Sequence, residues 1–518
     1  MPRARLLVAA VLLLSVLASP WRRELFVGDE TKYGEVVREM RATGAFFLPT
    51  LNGTPFTHKP PLHFWLVDLL TFVFGLYSTW SFVIPSLLAY AFLLWLMWRM
   101  EAPHPQPLSP PRGERGATVA GEPLSVPRGE RVAEGRVRGI AAFVCGTSLL
   151  IWGSAQTARM DVSFTAFITL AAWLLQRFFD RDDFRALLGC ALALAVATLI
   201  KGPMAPVIAL LLFALEAWRR RRLPRGNYLP ALAVLIIIPL LWLVPALMIG
   251  GDAYARDVLM KQTVGRAVST WTHKAPPWFY LLHAPGFLFP WFLLAAAAIA
   301  ARWRERRFEL NWILAVLIPY SLLASKLDVY MMALVPPVAL IIADALETRF
   351  THWANIAMCV VFIAVGIAGP FIRVKPPEDA LMKLMAVKVL FGIFIAGGII
   401  GLIWRRRALF AVGLTPVIAL VYASIALMPI ANDLASTRPL VDAVVRQRVR
   451  PEEVWLYTSP YLWTRNMPRE LERVHYEPIA NATVIVTARK YASNIDLRGY
   501  RKVDEVRMIG KWFDVYRR

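Results

Sequence analysis

Apolar runs of membrane-spanning length punctuate this chain, and they constrain its fold more than any other feature. They lie near residues 5–20, 80–99, 139–157, 161–178, 186–201, 203–218, 229–249, 278–301, 309–325, 328–346, 354–373, 385–404 and 408–430. About twenty apolar residues in a helix match the thickness of the hydrocarbon layer. Within that layer every peptide N–H and C=O must be paired inside its own segment, which a helix achieves and an open loop does not. The runs therefore predict a polytopic α-helical membrane protein of about thirteen transmembrane helices. The apolar stretch 62–76 is short and follows Pro60-Pro61, so it is placed as a helix lying along the membrane surface.

Charge sorts the loops between these runs. The net charge is +22, but the arginines fall between apolar runs, where topology alone demands them. No basic patch is interleaved with stacking aromatics, so nucleic acid is not an expected partner. One set of loops is Arg-rich: Arg112 to Arg138, Arg177 to Arg185, Arg219 to Arg225, Arg302 to Arg307 and Arg405 to Arg407. The alternate set, with Asp29 to Lys59, Gly250 to Pro277 and Lys375 to Lys383, is mixed or acidic. The first set is expected in the cytoplasm, which puts the N-terminus inside, the Asp29 loop outside and the C-terminus outside. The first run is expected to be an uncleaved helix, because the remaining topology needs it.

Residues 1–430 are thus expected to form the membrane domain, with a first extracytoplasmic loop at 21–79. An insertion at 101–138 holds the near-duplicates Pro107-Leu-Ser-Pro-Pro-Arg-Gly-Glu-Arg115 and Pro123-Leu-Ser-Val-Pro-Arg-Gly-Glu-Arg131. Pro, Gly and Arg at that density cannot bury a core, so a disordered cytoplasmic loop is expected. Residues 431–518 contain β-branched or aromatic strand candidates at Val454–Tyr457, Thr483–Thr487 and Trp512–Tyr516 and read as a small extracytoplasmic α/β domain. Cys145, Cys190 and Cys359 fall inside apolar runs without ligand spacing and read as packing residues.

The loops on the less basic side share one chemistry. The first supplies Asp29, Glu30, Lys32, Tyr33, His58 and Lys59, and the next Arg159-Met160-Asp161. Lys201 ends the fifth span; Arg266 and His273 lie in a long loop; Lys326 and Tyr330 join the ninth and tenth spans. Ionisable groups at a membrane are costly unless they face a wet cavity and act there. A few acids among many cations suit a substrate whose reacting part is a phosphate joined to something uncharged. An acid left over can accept a proton from an attacking hydroxyl. Taken singly, each has a plainer reading: Lys201 and Lys326 as snorkelling helix ends, Asp161 as a helix cap.

The ordered motifs resemble a known family. Gly28-Asp-Glu-Thr-Lys-Tyr33, His58-Lys-Pro-Pro61, Ala158-Arg-Met-Asp161, Thr198-Leu-Ile-Lys-Gly-Pro203, Gly265-Arg266 with His273-Lys-Ala-Pro-Pro-Trp-Phe-Tyr280, Pro290-Trp291 and Ser325-Lys-Leu327 with Tyr330 span about residues 1–345. Together they look like the bacterial lipid-linked-sugar glycosyltransferases of the GT-C fold, the group of the lipid A aminoarabinose transferases and relatives of the protein O-mannosyltransferases. The resemblance implies sugar transfer from a polyprenyl-phosphate donor to a lipid A, glycan or protein acceptor at the periplasmic side of the bacterial inner membrane. It implies Asp29 as the catalytic acid group and Asp161 as a second acid in the same cavity. Lys59, Lys201, Arg266 and Tyr330 would contact phosphate or donor, with Glu30, Lys32, Tyr33, Arg159 and Lys326 also on the substrate.

Some relatives hold a divalent ion through an acid before the Lys-Pro pair and a later His. Here His58 takes the acid's place opposite His273, and two imidazoles can bind Zn²⁺. Lys32 stands where relatives commonly carry Arg, and Asp328-Val329 where they carry Pro-His. No Gly-rich phosphate loop is present, so no nucleotide cofactor is expected. The different-class rival is a lipid-linked-sugar flippase or a transporter, but no internal repeat of the transporter kind is visible.

Overall fold

The computed structural model describes residues 10–101, 139–258, 260, 275–372, 385–464 and 467–518. Helix dominates. The chain is helical over 10–16, then forms α1 (Asp29–Thr43), α2 (Leu62–Phe74) and α3 (Thr79–Met100). It continues with α4 (Ile140–Thr147), α5 (Leu149–Ala155), α6 (Asp161–Arg181), α7 (Phe184–Lys201), α8 (Met204–Arg220) and α9 (Tyr228–Arg256). Then follow α10 (Phe279–Phe287), α11 (Phe292–Arg302), α12 (Arg307–Leu322), α13 (Val335–Ala345), α14 (Arg349–Ala368), α15 (Met385–Ile403) and α16 (Ala408–Ala426).

Among the described residues eight helices are long and apolar enough to cross a membrane, nine if α10 and α11, bent by 113°, count as one. Eight or nine of the expected thirteen thus meet that length among the described residues, and local breaks shorten others. The run 139–157 breaks at Ser148, whose extended backbone separates α4 from α5. α8 starts after Pro203 and α12 carries Pro319 near its end, leaving them 17 and 16 residues long. The protein is a multi-pass membrane protein. α9 leaves Ile237, Leu241, Met248 and Ile249 exposed along its length, an arrangement stable only against lipid. α2 is too short to span and turns Leu69, Phe72 and Val73 outward while His63 and Asp68 are buried. Lipid is the solvent that fits that outer face.

Antiparallel hairpins sort the charges onto two faces. At one end Arg220 of α8 reaches Asp180 of α6 at 2.7 Å, and Glu216 receives Arg219, Arg220 and Asn311. Asp344 closes α13 against Arg302 and Arg306 at 3.4 and 3.0 Å. The opposite ends carry Asp161 and Lys201. Glu101 accepts hydrogen bonds from the N–H groups of Gly139, Ile140 and Ala141, so α3 and α4 meet directly across the 102–138 insertion. Of the insertion expected at 101–138, all but Glu101 lies outside the described residues.

After α17 (Met428–Ala435) and α18 (Arg438–Arg446), a second core forms around a mixed four-stranded sheet. Numbered on from the short antiparallel hairpin β1 (Thr50–Leu51) and β2 (Thr54–Pro55) of the first loop, its strands run in the order β3 (Val454–Tyr457), β4 (Val484–Ala488), β6 (Lys511–Arg517), β5 (Arg501–Met508), with β3 and β4 parallel. The three expected strands are present. β5 escaped the sequence reading because Arg501-Lys-Val-Asp-Glu505 alternates few apolar residues on an edge strand. The sheet sits against the first loop. Trp463 packs on Gly34 of α1, where an added Cβ would lie 2.7 Å from the indole, and Tyr77 donates to Glu472 at 2.6 Å.

Candidate active site

α1 begins abruptly. Gly28, at φ 119°, adopts a backbone conformation closed to side-chain-bearing residues, and this turns Asp29 and Glu30 into the first helical turn. The two acids then part company. Asp29 stays half exposed and meets Arg159 at 3.5 Å and Lys32 at 4.0 Å. Glu30 is buried and accepts the N–H groups of Phe26 (2.8 Å) and Ala158 (2.7 Å), together with the Arg23 guanidinium. Glu30 was expected to contact substrate; in the structure its Oε1 ties α1 to the 158–161 turn through Ala158, and its Oε2 is taken by Phe26 and Arg23.

That turn delivers the second acid. Asp161 opens α6 and is buried, with Arg159 Nε 3.2 Å from its Oδ2 and Lys201 Nζ bonded to its Oδ1. Lys201 is presented there because α7 stops before Gly202-Pro203. The ammonium also lies 5.0 Å from the Tyr330 ring and 5.2 Å from Phe164. Tyr330 is held by stacking on Tyr320 at 5.0 Å. Lys59 adds its charge to the field at Asp161. Asp29, Arg159, Asp161, Lys201 and Tyr330, drawn from four separate stretches of sequence, therefore form one contiguous chain of contacts.

Electrostatics fix the protonation states around it. Burial works against the Arg159 charge, but Asp161 and Asp29 outweigh it and raise its pKa above the usual guanidinium range. Tyr33, buried against Phe64 and His63, has its phenol held well above the ordinary value by burial, then by Asp29 and Asp161. It is a neutral hydroxyl at working pH.

Other expected residues stand apart. Lys326 is buried and folds its amine onto the Leu323 carbonyl, where burial lowers its pKa. His58 is exposed, its ring tilted on Phe56 at 5.2 Å. Arg266 and His273 lie outside the described residues. Among the described residues no three His, Cys, Asp or Glu side chains converge as metal ligands. One pair escaped the sequence reading: His283 Nδ1 lies 3.0 Å from Asp328, with Phe279 stacked on the imidazole. Only the packing of α10 against the 328–334 turn brings them together, and no motif signals it.

Comparison with known proteins places this geometry. The sequence profile of the dolichyl-phosphate-mannose-protein mannosyltransferases matches residues 131–243. The undecaprenyl phosphate-alpha-4-amino-4-deoxy-L-arabinose arabinosyl transferase of Pectobacterium atrosepticum is 25% identical over 397 residues, 70% of this chain and 64% of that protein. A Pseudomonas fluorescens protein of the same description is 28% identical over 364 residues, 66% of this chain and 59% of its own length. The chain thus matches less than two thirds of either relative. The crystal structure of ArnT from Cupriavidus metallidurans bound to undecaprenyl phosphate superposes with a TM-score of 0.73 over 99% of this chain and 97% of that one, at 18% identity. The chain has the GT-C fold. In sequence and fold this GT-C protein is similar to the aminoarabinose transferases and the protein mannosyltransferase group. The first-loop helix, the 158–161 turn and the end of α7 supply its charged centre.

Proposed function

We propose that this GT-C protein is a glycosyltransferase of the bacterial inner membrane. It moves a sugar from a polyprenyl-phosphate donor to a lipid A, glycan or protein acceptor on the periplasmic side. The observation that carries the reading is the chain of contacts Asp29–Arg159–Asp161–Lys201, buried at Asp161 and open at Asp29. Its likeness to the arabinosyl transferases, whose names give an undecaprenyl-phosphate sugar, supports the donor class.

The chemistry follows from the charges. With Lys32, Lys59, Arg159 and Lys201 around Asp29 and Asp161, the cluster holds two more cations than acids, a surplus suited to a phosphodiester. The acceptor oxygen attacks the anomeric carbon as the carbon–oxygen bond to the polyprenyl phosphate breaks. The leaving phosphate takes the bonding electrons, and fixed cations stabilise the charge that develops on it. Asp29 accepts the proton of an attacking hydroxyl. When the acceptor is itself a phosphate, Asp29 positions it and stabilises the electron-poor carbon. Asp161 fixes Arg159 and Lys201, and Tyr330 walls the cavity beside Lys201. A single displacement inverts the anomeric centre. No step is routed through a metal; Zn²⁺ between His58 and His273 is a separate proposal, checked by metal analysis of the purified protein and of His58→Ala.

The deciding experiment is Asp29→Asn assayed with a labelled polyprenyl-phosphate sugar. Transfer is expected to fall about a hundredfold or more. Activity within about twofold of wild type overturns the role of Asp29, and a wild type that only moves the lipid between leaflets makes this a flippase.

A further inference from the structure

After α12 ends at Leu322, the chain reaches Tyr330 through a non-helical link, residues 323–327. Leu327 is extended (φ −139°, ψ 137°), and a 3₁₀ turn then opens at Asp328 and runs to Leu334. Tyr330 is the third residue of that turn; it stacks on Tyr320 at 5.0 Å and stands 5.0 Å from the Lys201 ammonium. Where the turn starts therefore decides where the wall beside Lys201 stands.

Two side chains of α10 hold that start. The Leu327 N–H donates to the Tyr280 hydroxyl at 3.3 Å, and His283 Nδ1 donates to Asp328 at 3.0 Å. The proton is on Nδ1 because an ionised carboxylate only accepts. Phe279, one turn earlier on α10, stacks on the imidazole at 3.7 Å and 29°, which fixes the plane of the ring. The His283 and Asp328 side chains are 45% and 48% exposed. A pair that open to solvent adds little to the stability of the whole chain. Its consequence is local.

The backbone says what that consequence is. Position 328 suits proline: the residue before it is extended, as a proline demands of its predecessor, and 328 opens the helical turn. There a fixed φ fits and the missing N–H is not needed. This chain carries Asp instead of the Pro of the similar motif, and α10 brings a histidine to it. We propose that His283 and Asp328 are positioning residues, whose bond does the work of a rigid backbone at 328 and sets Tyr330 against Lys201 where the donor phosphate binds. This inference rests on the glycosyl-transfer reading above.

The test uses the full-length protein in nanodiscs, with binding of labelled polyprenyl phosphate measured beside sugar transfer. His283→Ala and Asp328→Ala are each expected to weaken that binding, and to raise the donor KM, about tenfold, the scale of one charge-assisted hydrogen bond. The acceptor KM should stay within about twofold and the thermal midpoint nearly unchanged, because the pair is exposed. Two cycles check that the residues act together and through Tyr330: His283→Ala/Asp328→Ala should be no worse than either single variant, and His283→Ala should cost nothing further in Tyr330→Ala. Exchanging the ion pair for proline, His283→Ala/Asp328→Pro, should bring binding back to within about twofold of wild type. Unchanged binding in the single variants, losses that add in either cycle, or a proline variant that keeps its midpoint without regaining binding each overturn the proposal. So does a lowered midpoint with both KM values raised alike, which marks a merely structural pair. Should the proline variant melt early, the two cycles decide alone. A wild type that binds polyprenyl phosphate and transfers no sugar removes the transfer reading, while the binding measurements still judge the pair; a wild type that binds none overturns the pair as well.

Discussion

At the scale of single residues, the Asp161–Lys201 pair is the support on which the centre rests. Both side chains are more than nine-tenths buried, so removing Asp161 strands the Lys201 ammonium, and removing Lys201 takes from the Asp161 carboxylate its most buried cation and leaves it to Arg159. Lys201→Met is expected to cost about 3–5 kcal/mol of stability, read as a lowered thermal midpoint, and to abolish transfer. Asp161→Asn/Lys201→Met should recover most of the stability and none of the activity. A stable single variant would show that the pair carries no such load. His63 gives a second handle. Burial lowers its pKa to about 4, its Nε2 is buried without a partner among the described residues, and it packs 6.0 Å from Tyr33. Between pH 6.5 and 4 the unfolded chain binds the proton and the folded chain does not, so stability falls as pH drops through that window. The loss should approach about 3 kcal/mol and should vanish in His63→Phe, as a pH series of thermal midpoints would show. Asp29, Asp161 and Lys201 were legible in sequence because charge at the end of an apolar helix demands a reason. The partners of Glu30 were not legible, because they are two backbone N–H groups and Arg23, which only the fold brings to it.

At the scale of elements, helix positions were legible and helix integrity was not. Apolar runs announce where backbone must be helical, but not that Ser148 splits one run or that α10 and α11 meet at 113°. Such breaks are set by neighbours that re-satisfy the freed backbone groups: the Leu149 N–H, for example, donates to the Phe289 carbonyl at 2.9 Å. The join between α3 and α4 makes a prediction of its own. Since the Glu101 carboxylate already caps α4, the chain ends flanking the insertion are held together without it. Replacing residues 104–136 by a short Gly-Ser link should leave transfer within about twofold and the thermal midpoint nearly unchanged. Glu101→Ala in the shortened chain should lower the midpoint, because three N–H groups lose their acceptor. A shortened chain that fails to insert or transfer would give the insertion a function.

At the scale of the whole molecule, the fold segregates charge by face, and this converts a loop-counting argument into a measurable orientation. Arg220–Asp180, Arg306–Asp344 and the Arg405–Arg407 turn mark one face; Asp29, Asp161 and Lys201 mark the other. The C-terminal sheet joins the second face through Trp463 on Gly34 and Tyr77 on Glu472. If the Arg-rich face is cytoplasmic, the charged centre and the sheet share the periplasm. Cys145, Cys190 and Cys359 are all buried, so the native chain offers little background to a thiol reagent. A membrane-impermeant maleimide applied to cells with a permeabilised outer membrane should label Arg469→Cys, an exposed position in the C-terminal part. It should label Arg406→Cys, in the exposed turn before α16, only after the inner membrane is broken. The reverse pattern would put Asp29 in the cytoplasm and remove the periplasmic acceptors from its reach. Labelling of both sites in unbroken cells would contradict the segregation of faces itself, because no single orientation exposes a turn and its opposite pole to the same compartment.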